Sequence, residues 1–162
     1  MNIHYLKKLK ETPKVKYSSK IIKGISEEQI IKYEEQLNIK FPIAYKEFLF
    51  LAGQYSGYLT LLEGTSSIED FADKEFQSYF KEKYLDLFNF NETRPYWVFT
   101  QGSQAFFFFY LDENIEDPEV WKVEFYEIGK HELSKLEERS RFSEFINDVV
   151  EHSIEYYREM YG

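Results

Sequence analysis

Apolar residues recur at helical spacing in four long stretches of the chain. In "SEEQIIKYEEQL", residues 26–37, Ile30, Tyr33 and Leu37 fall on one face of a 3.6-residue period. Ser26 and Gln29 form a capping box at its start, and Glu27 and Glu28 occupy the first turn, where the helix dipole favours negative charge. Asn38 suits the left-handed residue that ends such a helix. A second helix is predicted almost at once, with Pro42 at its first position and Gly53 as its stop. Phe41, Tyr45, Phe48, Leu49 and Ala52 make its apolar stripe. Two helices so closely joined predict a helical hairpin. A third periodic run, 66–84, carries Ile68, Phe71, Ala72, Phe76 and Phe80, with Ser66 and Glu69 as its capping box. The longest, 140–162, carries Phe142, Phe145, Ile146, Val149, Ile154 and Tyr157. Residues 2–10 offer a shorter helix with Ile3, Leu6 and Leu9 on one side.

Between residues 96 and 128 the pattern changes to β-branched and aromatic runs. "YWVFT" (96–100) and "AFFFFYL" (105–111) are separated by a short glycine-containing loop, which predicts an antiparallel hairpin. The second run does not alternate, so it is expected in the centre of the sheet, paired on both edges; exposed, it would be an aggregation hazard. In 120–128, Trp121, Val123 and Phe125 alternate with Lys122 and Glu124, one face for the core and one for water. A further short strand is expected over 57–64, and 86–94 is irregular before Pro95. Helices, strand, helix, three strands and helix describe an α+β chain, a mainly antiparallel sheet packed against helices. The expected organisation is a basic N-terminal arm with a short helix over 1–24, then a single domain over 25–162.

Composition supports a folded core. A chain of 162 residues suits one domain, and with 16 Phe and 14 Tyr it has large rings to bury. It has no Cys, which excludes disulfides, thiolate nucleophiles and Cys-based zinc sites. Charge is unevenly spread. Seven lysines against Glu11 give the first 24 residues +6; the whole chain is −9, so the remainder carries −15. A body so acidic repels nucleic-acid phosphates, and either attracts a basic protein or simply keeps an aromatic-rich chain soluble. The opening residues lack the apolar run of a signal peptide, and no stretch approaches the roughly 18–20 apolar residues that span a bilayer. A cytoplasmic protein with no membrane contact is the expectation.

Catalytic chemistry is thin. "HELSK" at 131–135 begins like a zinc-protease motif, but Lys135 stands where the second histidine would be needed. His4 and His152 have no partnering motif. Neither a glycine-rich phosphate loop nor a G-x-S-x-G elbow occurs, so no catalytic residue, metal or cofactor is expected. Asp112, Asn114 and Glu116 alternate as in a calcium loop, yet Asp117 replaces the required Gly and Val123 the terminal Glu. Three readings of this loop stay open: a solvated turn, a contact surface for a basic protein, and a weak cation site. In the second, Asp112, Glu113, Glu116, Asp117 and Glu119 are the candidate partner-binding residues. Glu34 and Glu35 read as solvent-face charges, as do Glu137 and Glu138.

One resemblance adds to this. "ISEEQIIKYEEQLNIKFPIAYKEFLFLAG" resembles the opening motif of the SUKH superfamily, a helix carrying a Glu, then Leu-Gly-x-x-Phe/Leu-Pro-x-x-Tyr-x-x-Phe-Leu and a Gly turn. Here it comprises Glu34, Leu37, Asn38 in place of the usual Gly, Phe41, Pro42, Tyr45, Phe48, Leu49 and Gly53. The stretch 94–125, with Asp117, Pro118 and Val120, resembles the family's hairpin and following strand, and "SRFSEFINDVV" its closing helix. The resemblance covers most of residues 25–155. It implies an α+β fold and non-catalytic binding, with the motif residues structural. Many bacterial members are immunity proteins that neutralise a toxin domain, often a nuclease; a fungal branch regulates cell-wall glucan synthesis. The expected role is therefore an immunity protein that binds a basic toxin domain, and the alternative is a regulatory or scaffold module.

Overall fold

A computed structural model describes residues 1–12, 21–57, 59, 66–80, 94–102, 105–127, 130–135 and 141–161, of which 125–127 and 130–135 by backbone alone. The strand expected over 57–64 falls almost wholly outside these residues, as do Lys14, Lys16 and Lys20 of the basic arm and Glu137 and Glu138.

Among the described residues, six helices and four strands follow in the order α1 (Lys7–Glu11), α2 (Glu27–Leu37), α3 (Ile43–Ala52), α4 (Ile68–Phe71), α5 (Lys74–Phe80), β1 (Tyr96–Gln101), β2 (Ala105–Tyr110), β3 (Trp121–Glu127), β4 (Lys130–Lys135) and α6 (Phe142–Tyr161). The strands form one antiparallel sheet in the order β1-β2-β3-β4, so the fold is α+β. The β2 strand is central, and Phe106, Phe108 and Phe109 are buried in it.

Local signals explain the helix ends. The capping box at Ser26 is formed: its hydroxyl accepts the Gln29 N–H and the Gln29 side chain accepts the Ser26 N–H. Asn38 closes α2 at φ 53°, a left-handed conformation that Asn tolerates, which is why the helix can end here without a glycine. Pro42 sits one residue before the helix as its N-cap. Gly53 does end α3, but at φ −68°, so left-handedness is not its reason. A side chain there would place Cβ 2.5 Å from the Leu49 carbonyl oxygen.

Two expectations are corrected. The run 66–84 does not open as one helix. It breaks after α4, because the Asp73 carboxylate accepts the Glu75 N–H at 3.0 Å and starts α5. Its N-cap is Ser67, which accepts the Glu69 N–H, while Ser66 is buried and donates to the Ser56 hydroxyl at 2.7 Å. The second correction is β4, a strand built from "KHELSK". Its register puts His131 opposite Phe125 and Lys135 opposite Trp121. A charged strand at the end of the sheet discourages pairing with another chain, but its lack of apolar alternation hid it from pattern reading.

The core lies between the sheet and helices α3 and α6. Tyr45 is its hub: ring centroids of Phe41, Phe109, Phe142 and Phe48 lie 5.0, 5.3, 5.6 and 6.1 Å away. The Trp97 indole N–H donates to the Tyr45 hydroxyl at 2.9 Å. Leu6, Leu9 and Ile22 are buried in the same core.

Candidate functional site

The segment 112–119 connects β2 to β3 and carries all five candidate acids. A left-handed Asn114, at φ 49°, turns the chain within it. Each end is tied down. Arg94 donates from Nε and Nη2 to the two Asp112 oxygens at 2.9 and 2.8 Å, and from Nη2 to Glu113 at 3.0 Å. The guanidinium lies 3.8 Å from the centroid of the Tyr110 ring. This fork holds the Asp112 carboxyl below its ordinary range and raises the guanidinium further above its own.

At the other end, Asp117 caps α6. Its oxygens accept the Ser143 N–H at 2.9 Å and the Ser143 hydroxyl at 2.6 Å, and its carbonyl accepts from Arg141 at 3.1 Å. The Pro118 carbonyl accepts the Phe142 N–H, and Glu119 pairs by backbone with Arg141. Mid-loop, the Glu116 carbonyl accepts the Ala44 N–H at 2.9 Å and so satisfies a donor at the start of α3. Its carboxylate Oε2 accepts the Tyr5 hydroxyl at 2.7 Å, a bond that raises the Tyr5 phenol's pKa.

The five acids are thus brought together on one loop, but on unequal terms. Asp112 and Glu113 share Arg94, Asp117 serves a helix terminus, and Glu116 holds the N-terminal segment. Beside the loop, a cleft of about 290 Å³ opens toward Lys40–Ile43 at the start of α3.

Two further carboxylates are buried where the residue pattern gives surface or nothing, although the family motif counts Glu34 as structural. Glu34 is not a solvent-face charge: it is 3% exposed. It accepts the Phe41 N–H at 2.7 Å, with Lys46 Nζ at 3.0 Å and Lys40 Nζ at 3.4 Å, and so clamps the turn between α2 and α3. Burial pushes its pKa up, but the Phe41 N–H and the two lysines outweigh burial and hold it below the ordinary value. Its contribution to stability is therefore full above the unfolded value near 4.5 and is lost as pH falls through the lower folded value. Glu34→Gln is expected to flatten that part of the acid-unfolding curve; an unchanged curve in urea titrations between pH 6 and 3 would contradict the clamp. Glu35, by contrast, is exposed as expected.

Glu47 is fully buried. It accepts the N–H groups of His4, Tyr5 and Leu6 at 2.7, 2.9 and 3.0 Å, and binds the N-terminal segment to α3. A signal existed: α3, "IAYKEFLFLA", is apolar on nearly every side, and a helix of that kind is largely buried, which makes burial of its one carboxylate a fair expectation.

His152 is exposed on α6. Among the described residues, no three His, Cys, Asp or Glu gather to hold a metal ion. No helix there is long and apolar enough to cross a membrane. The family model of the SMI1 / KNR4 family (SUKH-1) matches residues 24–148. No curated protein and no solved structure matches the chain.

Proposed function

The chain belongs to the SMI1 / KNR4 family (SUKH-1), and from that membership we propose that it acts by stoichiometric binding, as an immunity protein that neutralises a basic toxin domain, such as a nuclease, in the cytoplasm. The observation that carries the partner's chemistry is the locked acidic loop. Arg94, Tyr5 and Ser143 hold its carboxylates in place before any partner arrives. A surface ordered in advance loses little entropy on binding, and acids on it speed encounter with a cationic partner. The toxin is the ligand; nucleic acid is not bound directly, and no catalytic group or cofactor takes part.

Co-purification from native extract, followed by mass spectrometry at low and moderate salt, tests this. A basic toxin fragment released by salt is the expected result. Recovery of envelope-synthesis or signalling proteins instead would replace the immunity reading with the regulatory one. With a toxin in hand, Glu113→Gln with Glu116→Gln is expected to slow association roughly tenfold or less at low ionic strength, the difference shrinking as salt rises. Asp112 and Asp117 are better left intact in that test, because their loss disturbs the loop as well as its charge.

A further inference from the structure

The cleft beside the loop has a definite chemistry. Buried Phe41 and Tyr110 contribute to its lining, and Ile43 and Ile115, 39% and 40% exposed, leave apolar surface open to water. Glu116 also lines it. At about 290 Å³ it lies at the small end of ligand pockets, room for one or two side chains rather than a nucleotide-sized cofactor.

Its charges are unequal. Lys40 lines the cleft but reaches the Glu34 carboxylate, so that cation has a partner. Glu116 is exposed and accepts through Oε2 from the neutral Tyr5 hydroxyl, which leaves its charge uncompensated. The charge left uncompensated at the cleft is negative, which favours a cation. Tyr5 fixes the carboxylate through one oxygen, and the Ala44 N–H fixes the Glu116 backbone. An anchored carboxylate beside open isoleucine surface complements a cation attached to an apolar group, and an arginine with its neighbouring aliphatic or aromatic residue has that form.

We propose that this cleft is the anchoring socket for a protein partner, taking an aliphatic or aromatic side chain against Ile43 and Ile115 while an adjacent arginine or lysine pairs with Glu116. The inference rests on the binding role proposed above and specifies where the partner seats. It assigns Tyr5 a positioning role: its hydroxyl aims the carboxylate without touching the partner.

The test uses the full chain and phenethylguanidinium, a probe with an aromatic group and an arginine-like cation. Titration followed by amide NMR is expected to give saturable shifts at Ile43, Ile115 and Glu116. Glu116→Gln is expected to weaken binding about tenfold or more, the loss of one charge-assisted hydrogen bond. The double substitution Ile43→Ser, Ile115→Ser should weaken it too. Both changes are at exposed positions, so the fold is retained and checked in the same spectra. Tyr5→Phe should weaken the guanidinium probe while leaving neutral phenethyl alcohol unaffected, which a merely structural role for Tyr5 would not produce.

Absence of shifts at the cleft would overturn the proposal, as would preferential binding of 3-phenylpropionate through Lys40. Shifts of these amides on concentrating the protein alone would make a second copy the occupant and overturn it as well. A toxin that binds the Ile43→Ser, Ile115→Ser variant unchanged would sink the socket and leave the immunity reading standing. Probe binding at the cleft in a chain that binds no toxin would keep the socket and sink that reading.

Discussion

Glu47→Ala is expected to lower unfolding free energy by about 3–5 kcal/mol and to loosen the first dozen residues. The carboxylate is fully buried and accepts three consecutive backbone N–H groups, those of His4, Tyr5 and Leu6. Without it the chain has two options. It can keep the segment in place and leave donors unpaired, at about 1–3 kcal/mol for each fully buried group. Or it can release the segment to water and expose Leu6 and Leu9, each at most 1% exposed in the fold, at about 1.5–3 kcal/mol per side chain. The cheaper route sets the loss, and release of the two leucines, about 3–6 kcal/mol together, bounds it. Release would also free Glu116, since Tyr5 comes away with the segment. Glu47→Gln keeps one acceptor oxygen and should cost less. Urea denaturation gives the energy, and amide hydrogen exchange at residues 4–6 identifies the route; a loss below about 1 kcal/mol with unchanged exchange would show that Glu47 does not hold the segment.

The second large effect belongs to Tyr45. Tyr45→Ala is expected to cost about 3–5 kcal/mol, the usual range for deleting a large ring from a packed core. Here the ring is fully buried and meets Phe41, Phe48, Trp97, Phe99, Phe109 and Phe142, so α3, the sheet and α6 lose contacts together. Tyr45→Phe separates the ring from its hydroxyl. It keeps the packing but leaves the Trp97 indole N–H without its acceptor, at about 1–3 kcal/mol. Burial raises the phenol's pKa, against which the Trp97 hydrogen bond works only partly. The neutral hydroxyl therefore stabilises the fold below the unfolded value of 10.0, and that contribution is lost as pH rises above it. Thermal melts from pH 8 to 11 should fall less steeply for Tyr45→Phe than for the natural chain. Equal slopes would mean that Tyr45 does not titrate in the unfolding reaction.

These two residues mark a boundary in what pattern reading can reach. Tyr45 was visible as one step of a helical stripe, because its neighbours in sequence are its neighbours on the helix face. Glu47, two positions away, was not, although an almost wholly apolar helix hinted at its burial. The adjacent Glu35 makes Glu34 look like a surface charge, yet the helix period sets it between Ile30 and Leu37 on the apolar face, and the family motif counts it as structural. The loop acids show the same limit from the other direction. Their clustering was plain in "DENIEDPE", but which of them are already engaged was not: Arg94 lies 18 residues before Asp112, and Ser143 lies 26 after Asp117.

The local code was enough for α2, α3, α6 and the central strand, since caps, periodicity and β-branched or aromatic runs act within a few residues of one another. It was also enough to place the chain in its family, whose motif is an ordered set of core residues. Long-range closure settled the rest. The Glu47–His4 contact spans 43 residues and the Tyr5–Glu116 contact 111. The β4 strand exists because β3 offers it an edge, and Glu116 stands at a cleft because α3 and the β2–β3 loop meet there. Pairing of polar groups depends on what the folded chain brings opposite them, and no local pattern carries that information.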